Sequence, residues 1–254
     1  IPGIEKVTLT TNGVQLDRYL DQLLDAGLDA INVSLDTVDP VLYEKITGRD
    51  KLADVMRFIE KAESLPIPVK INAVSIDFRQ LQENGKATEL SPQENWQQMA
   101  ELAKHYPVDV RFIEMMPIGY GAAMPCISGP DLLARFRKRW PELAPLSRQE
   151  TAGIGDGPAV YYTAPGWQGS VGFIAAVHGK FCASCNRVRL TSQGFLRPCL
   201  ASETGCDLRP LLRGGAADEE LLQAIRETIW SKPREHHFGD NSMPATRGMY
   251  RIGG

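Results

Sequence analysis

The 254-residue chain has no apolar run near the roughly 18 residues that a membrane span needs, so no stretch of it reads as a membrane segment. It also lacks an excess of either charge: 28 Lys and Arg against 31 Asp and Glu leave a net charge of −3. A general attraction to nucleic acid or to an anionic membrane surface is thereby excluded, and any anion site has to be local. Five cysteines in a chain of this length do not make a disulfide scaffold, and a close pair of them reads as metal-binding or redox-active in a reducing cytosol. No internal repeat or low-complexity tract is visible. What remains is the composition of an ordinary folded chain, 43% hydrophobic and 23% charged, long enough for one large domain or two smaller ones.

The first half alternates strand and helix signals. "EKVTLTTNG" (5–13) is a β-branched run closed by an Asn-Gly turn signal. Leu16, Leu20, Leu23 and Leu24 follow at helical spacing, with Gly27 as a stop. "LDAINVSLD" (28–36) is the next strand, and Asp39-Pro40 offers a helix cap followed by proline in the first turn. Then come a helix over 50–65, a strand over 67–76, a helix over 91–106 and a strand over 108–116. Strands nearly continuous in apolar residues, separated by helices, predict a parallel sheet covered by helices. A (β/α) barrel or part of one is favoured, with doubly wound order as the alternative. In a barrel, functional residues gather at the C-terminal strand ends. Those ends carry Thr10, Thr11 and Asn12, then Ser34 and Asp36, then Glu114, Met115 and Met116.

After Pro117 the rhythm breaks in "PIGYGAAMPCISGP", which places a domain boundary near residue 120, between segments 1–120 and 121–254. A helix over 129–140, short β-like pieces, a last helix over 219–238 and a polar tail ending in Gly253-Gly254 complete the chain. The first residue is Ile1 and the text opens almost inside a strand, so an N-terminal part is expected to be missing.

Three cysteines lie within "FCASCNRVRLTSQGFLRPC": Cys182 and Cys185 two residues apart, and Cys199 thirteen residues beyond. The close pair has the knuckle spacing of both zinc and iron–sulfur sites. On spacing alone the two are equally served, zinc drawing on His178 as a fourth ligand. Arg187 and Arg189 are two apart in "NRVRLT", on one face if the segment is a strand, with Arg197 close to Cys199. Guanidinium groups grip phosphate bidentately, so an anionic substrate at the metal is indicated. Cys126 and Cys206 read as ordinary thiols.

The strings "TLTTNG", "INVSLDT", "YEKITGRD", "VKINAV", "RFIEMMPIG", "FCASCNRVRLT", "LRPCL", "DLRPLLR" and the final "IGG", in this order, resemble the molybdenum cofactor biosynthesis protein A family. Its members are radical S-adenosylmethionine (SAM) enzymes with GTP 3′,8-cyclase activity. The resemblance implies a partial (β/α) triosephosphate-isomerase-type barrel lacking its first units, followed by a C-terminal iron–sulfur cluster domain. It implies that a 5′-deoxyadenosyl radical takes hydrogen from C3′ of GTP, which then bonds to C8 of the guanine. Cys182, Cys185 and Cys199 match the ligands of a C-terminal [4Fe–4S] cluster whose open iron faces the guanine. Arg187, Val188 and Arg189 match the GTP-contacting segment, with Arg187 and Arg189 in catalytic roles. Thr10 and Lys70 match GTP-contacting positions, and Ser34 and Met116 match SAM-contacting ones. Gly253 and Gly254 match a tail that reaches the active site and is needed for activity.

The cysteine triplet of the N-terminal SAM cluster is not among these residues, so that cluster is expected only in the missing segment, and this chain alone is expected to be inactive. Residues 77–95 are longer than the family's usual segment. A cytoplasmic homodimer that hands its product to the cyclic pyranopterin monophosphate synthase accessory protein is also implied. Two other readings compete: a zinc-binding interaction module, and a radical SAM enzyme acting on peptides. The second would show more cysteines and has no reason to end in Gly-Gly.

Overall fold

The computed structural model describes residues 1–80, 94–151, 157–236 and 238, together with the backbone of the short ribbon Gln82–Glu83 and Lys86–Ala87. They form two compact units. Residues 1–115 and 125–178 make a sheet unit; residues 116–124 and 179–254 make a cysteine unit. The division differs from the expected boundary near residue 120. Residues 125–178 return to the first unit because a strand within them hydrogen-bonds in parallel to a central strand there.

In chain order the sheet unit contains β1 (Thr8–Thr11), α1 (Leu16–Asp25), β2 (Ala30–Ser34), α2 (Pro40–Thr47), α3 (Leu52–Glu60) and β3 (Val69–Val74). The ribbon β4 (Gln82–Glu83) and β5 (Lys86–Ala87), α4 (Asn95–His105), β6 (Val108–Ile113), α5 (Gly129–Arg139), β7 (Ala144–Pro145), β8 (Val160–Thr163) and β9 (Ser170–Ile174) follow. One seven-stranded sheet runs in the order β1-β2-β3-β6-β9-β8-β7. Its first five strands are parallel; β8 and β7 close it antiparallel.

Local chemistry sets the element ends. Gly13, in the turn after β1, takes a φ of 82°, which side chains disfavour. Asp39 caps α2 by accepting the Leu42 N–H at 2.9 Å, with Pro40 just inside the helix. The helix expected over 50–65 is shorter, ending at Glu60 and continuing as one 3-10 turn, Lys61–Ser64.

The strands are not the continuously apolar ones expected. They alternate. One set of side chains (Ile31, Val33, Ile71, Val110, Val171, Phe173) joins a single core with Leu16, Leu20, Val55, Phe58, Met99, Leu132 and Phe136 from α1, α3, α4 and α5. Phe136 is fully buried at its centre and meets the rings of Trp96, Phe112, Trp140 and Phe173 at centroid distances of 4.8 to 5.2 Å. Burying such a ring stabilises the fold by about 1.5–3 kcal/mol. Helices therefore pack one face of the sheet, and the alternate side chains form a second, polar face.

The cysteine unit holds β10 (Arg189–Leu190), β11 (Phe195–Arg197) and β12 (Cys206–Asp207) in one antiparallel sheet, with α6 (Arg209–Arg213) and α7 (Asp218–Trp230). α7 packs against β11 and β12. The helix expected over 219–238 stops at Trp230, as Pro233 requires a few residues further on.

Candidate functional site

The polar face is in register across the parallel strands. Thr10 on β1 lies opposite Asn32 on β2, Asn32 opposite Lys70 on β3, Lys70 opposite Asp109 on β6, and Asp109 opposite Ser170 on β9. One step further along, Ser34, Asn72, Arg111 and Gly172 align, with Tyr161 of β8 beyond. Arg111 ties the two rows together. Its Nη2 donates to Asn32 Oδ1 at 2.7 Å and its Nε to Asn72 Oδ1 at 2.8 Å. Asn32 in turn donates to Thr10 Oγ1 at 3.4 Å, and Ser170 to Asp109 Oδ1 at 2.6 Å.

Lys70 is only 6% exposed, although it sits mid-strand. A lysine there must face partners or a ligand, because burying a charge alone is costly. Burial pushes the Asp109 carboxyl up; the Ser170 hydroxyl, Lys70 and Arg111 pull it back without cancelling the rise. With its carboxylate weakened and two cations present, this face is suited to an anion.

At the end of β6, Glu114 is 1% exposed and fully engaged. It accepts the N–H groups of Gly129 at 3.2 Å, Val177 at 2.7 Å and His178 at 2.9 Å, and also contacts His178 Nδ1. His178, the zinc reading's fourth ligand, therefore serves Glu114 in the sheet unit. A separate cavity of about 580 Å³ opens beside edge strand β1, lined by Leu9, Val14, Tyr19, Arg49 and Lys51 among others. Of the strand-end residues named from the sequence, Thr11 and Asn12 line it, whereas the GTP- and SAM-matching Thr10, Lys70, Ser34 and Met116 do not.

In the cysteine unit, Cys182 opens a 3-10 turn, Cys182–Ser184, that the Cys185 N–H closes onto the Cys182 carbonyl at 3.1 Å. Cys182, Cys185 and Cys199 are free thiols, all half-buried. Burial raises the Cys185 thiol, but the Arg187 N–H, the Lys232 ammonium and the Arg187 guanidinium outweigh it and hold the thiol below its ordinary value. Arg189 is half-buried; burial and the neighbouring Arg187 lower its affinity for its proton, while Cys199 and Cys185 raise it. It therefore lies within the electrostatic reach of two of the three sulfurs.

Arg197, 3% exposed, is directly opposite Arg189 across β10–β11 and donates to the Ser202 carbonyl at 3.0 Å. The Ser202 N–H bonds back to the Cys199 carbonyl at 3.3 Å, closing that arm of the site. Val188 is 42% exposed.

Three cysteines beside Arg187, Arg189 and Lys232 are a donor type that suits an iron–sulfur cluster. Among the described residues no group of three or more His, Cys, Asp or Glu closes around a single ion.

The structure thus brings Thr10 and Lys70 together on the sheet face, with Ser34 exposed one row on, and gathers Arg187 and Arg189 with the cysteines. Met116 is half-buried in the cysteine unit, its carbonyl accepting the Ile118 N–H at 2.7 Å. Gly253 and Gly254 lie outside the described residues, as do residues 81, 84, 85 and 88–93 of the unusual segment 77–95. Sequence reasoning missed Asn32, Asn72, Asp109 and Arg111. Alternation within "VDVRFI" was the available signal. Cys126 is exposed and pairs as a bridge with Ile76; Cys206 is half-buried in β12.

Comparison with known families places the chain in a class and then in a family. Residues 1–90 match the Radical SAM superfamily, and residues 108–238 match Molybdenum Cofactor Synthesis C. Over 256 residues the chain is 36% identical to a protein of Clostridium perfringens (strain 13 / Type A) named GTP 3′,8-cyclase, covering 100% of this chain and 74% of that protein. A protein of the same name from Desulforamulus reducens is 38% identical, with 99% and 74% covered. Molybdenum cofactor biosynthesis protein 1 of Bos taurus is 38% identical over 239 residues, 35% of its own length. The chain belongs to the GTP 3′,8-cyclase family of molybdenum cofactor biosynthesis. Among the described residues no helix is long and apolar enough to cross a membrane.

Proposed function

We propose that the chain serves the GTP 3′,8-cyclase reaction by binding its substrate, with the guanine end of GTP meeting a [4Fe–4S] cluster held by Cys182, Cys185 and Cys199, and that it is inactive without the cysteines of the SAM cluster. The observation that carries this reading is the pair Arg187 and Arg189 on the cysteine segment, with half-buried Arg189 directly opposite buried Arg197 across β10–β11. Cations so close to a metal-binding thiolate set call for an anionic substrate. When bound, SAM at a reducing iron–sulfur cluster supplies the radical that takes hydrogen from C3′ of GTP, so that C3′ can bond to C8.

The protein's own part is binding and orientation. Arg187, Val188 and Arg189 hold GTP beside the cluster. Lys70 and Thr10 contact GTP from the polar sheet face, where Arg111 adds a second cation. Ser34 and Met116 contact SAM. The Gly253-Gly254 tail completes the site. In this reading the parallel sheet belongs to an incomplete barrel with its polar face inward, and the cysteine unit is the cluster domain. The active form is a cytoplasmic homodimer that passes its product to the cyclic pyranopterin monophosphate synthase accessory protein.

Anaerobic reconstitution with iron and sulfide, followed by EPR of the reduced chain with and without GTP, tests the proposal. About four irons per chain and a GTP-dependent spectrum are expected. Tightly held zinc with no response to GTP would refute it.

A further inference from the structure

Lys232 has no part in the scheme above, yet it is not a solvated charge. It follows the last turn of α7, where the Ser231 N–H bonds to the Glu227 carbonyl at 3.0 Å and the Lys232 N–H to the Ile229 carbonyl at 3.1 Å. Because α7 packs on β11 and β12, the lysine starts from a fixed point. Its ammonium donates to the Cys185 carbonyl at 2.8 Å and the Arg187 carbonyl at 2.7 Å, and it reaches Cys185 Sγ at 3.5 Å. An ammonium has three donors. All three end on a stretch of three residues. A second contact between the same segments, Lys180 to Glu235 at 3.0 Å, joins two exposed side chains and is a surface ion pair.

We infer that Lys232 is a positioning residue for the cysteine–arginine loop. It holds the Cys185 sulfur and the backbone that carries Arg187 in place to receive the cluster and then the substrate. Without it, two carbonyls lose their donor, and the loop has to be ordered by the metal itself. Supporting groups of this kind typically set metal retention as strongly as they set activity. The inference rests on the reading of Cys182, Cys185 and Cys199 as cluster ligands.

The test compares wild type, Lys232→Met, Lys232→Arg and Glu235→Gln, each reconstituted with iron and sulfide. Loss of cluster absorbance after addition of a chelator and the EPR spectrum of the reduced cluster are recorded. Lys232→Met should lose its cluster about 10–100-fold faster, with a shifted spectrum. Lys232→Arg keeps the charge but not the three-donor geometry and should fall between. Glu235→Gln leaves the three contacts of Lys232 in place and should match wild type.

Unchanged retention and spectrum in Lys232→Met would overturn the inference. Full rescue by Lys232→Arg would do so too, by assigning the effect to charge alone. An equal loss in Glu235→Gln, or a Lys232→Met chain whose circular dichroism shows the fold gone, would make the segment a general brace and equally overturn it. A wild-type chain that assembles no iron–sulfur cluster would instead overturn the cluster reading.

Discussion

Glu114→Gln is a sharp test of how the sheet unit is held together. Both carboxylate oxygens of Glu114 are saturated: one accepts the Gly129 N–H and meets His178 Nδ1, the other accepts the N–H groups of Val177 and His178. In the glutamine variant the amide oxygen still serves two of these N–H groups, but as a neutral acceptor. The new NH₂ then faces the Gly129 N–H, donor against donor, in a site that is 1% exposed. Two hydrogen bonds lose their charge assistance and one buried donor loses its partner, for a cost of about 3 kcal/mol. In a chain of this size that lowers the melting temperature by about 10 °C.

Acidity supplies a second, independent reading of the same substitution. Burial would raise the Glu114 carboxyl, but the His178 and Val177 N–H groups outweigh it and hold the carboxyl below its ordinary 4.5. The unfolded chain therefore takes up this proton first as the pH falls. The contribution of Glu114 is complete above pH 4.5 and disappears as the pH drops through the lower folded value. Glutamine does not titrate, so the gap between variant and wild type should narrow below that pH. Urea unfolding followed by tryptophan fluorescence suits the measurement, because Trp96 and Trp140 are buried in the same unit whereas Trp230 is 92% exposed. A gap under about 0.5 kcal/mol at neutral pH, or one unchanged on acidification, would refute the reasoning.

Three further outcomes are expected. In Gly169→Ala the new Cβ would lie 2.0 Å from the Val108 carbonyl oxygen, so β9 has to shift from β6, at a cost of about 2 kcal/mol in urea unfolding; wild-type stability would contradict this. Lys70→Met should weaken GTP binding about tenfold by calorimetry, the loss of one charge-assisted contact, and unaltered affinity would remove Lys70 from the site. Arg187→Ala combined with Arg189→Ala should leave the cluster loaded while abolishing its spectral response to GTP, and a retained response would free both arginines of their proposed role.

Much of the fold was legible because its signals are local. The Asp39-Pro40 cap, the Asn12-Gly13 turn and the leucine spacing of α1 each depend on neighbours within a few residues. Register is not local. Nothing in "VKIN" alone says that Lys70 stands between Asn32 and Asp109, and that placement makes it part of a polar row instead of a surface charge. Among the described residues the helices pack on one face, so the alternating strand positions were open to polar residues, and the expectation of nearly continuous apolar strands hid them. The return of residues 125–178 to the first unit depends on β9 pairing with β6, a contact across more than sixty positions of sequence. At the cysteine site, spacing marked the three thiols and two arginines, but Lys232 lies 47 residues from Cys185 and carries no motif.

The alternation of the five parallel strands also bears on how such a chain can change. Packing is answered by one set of positions, Ile31, Ile71, Val110 and Val171 among them, and, in the reading proposed above, ligand contact by their immediate neighbours on the polar face, Asn32, Lys70, Asp109 and Ser170. The two demands are thus written in interleaved letters of the same strands. A substitution in the second set tests a new ligand without loosening the hydrophobic core, so specificity in this scaffold is free to drift while the architecture stays put. A combinatorial library confined to those neighbours would explore chemistry on a constant frame.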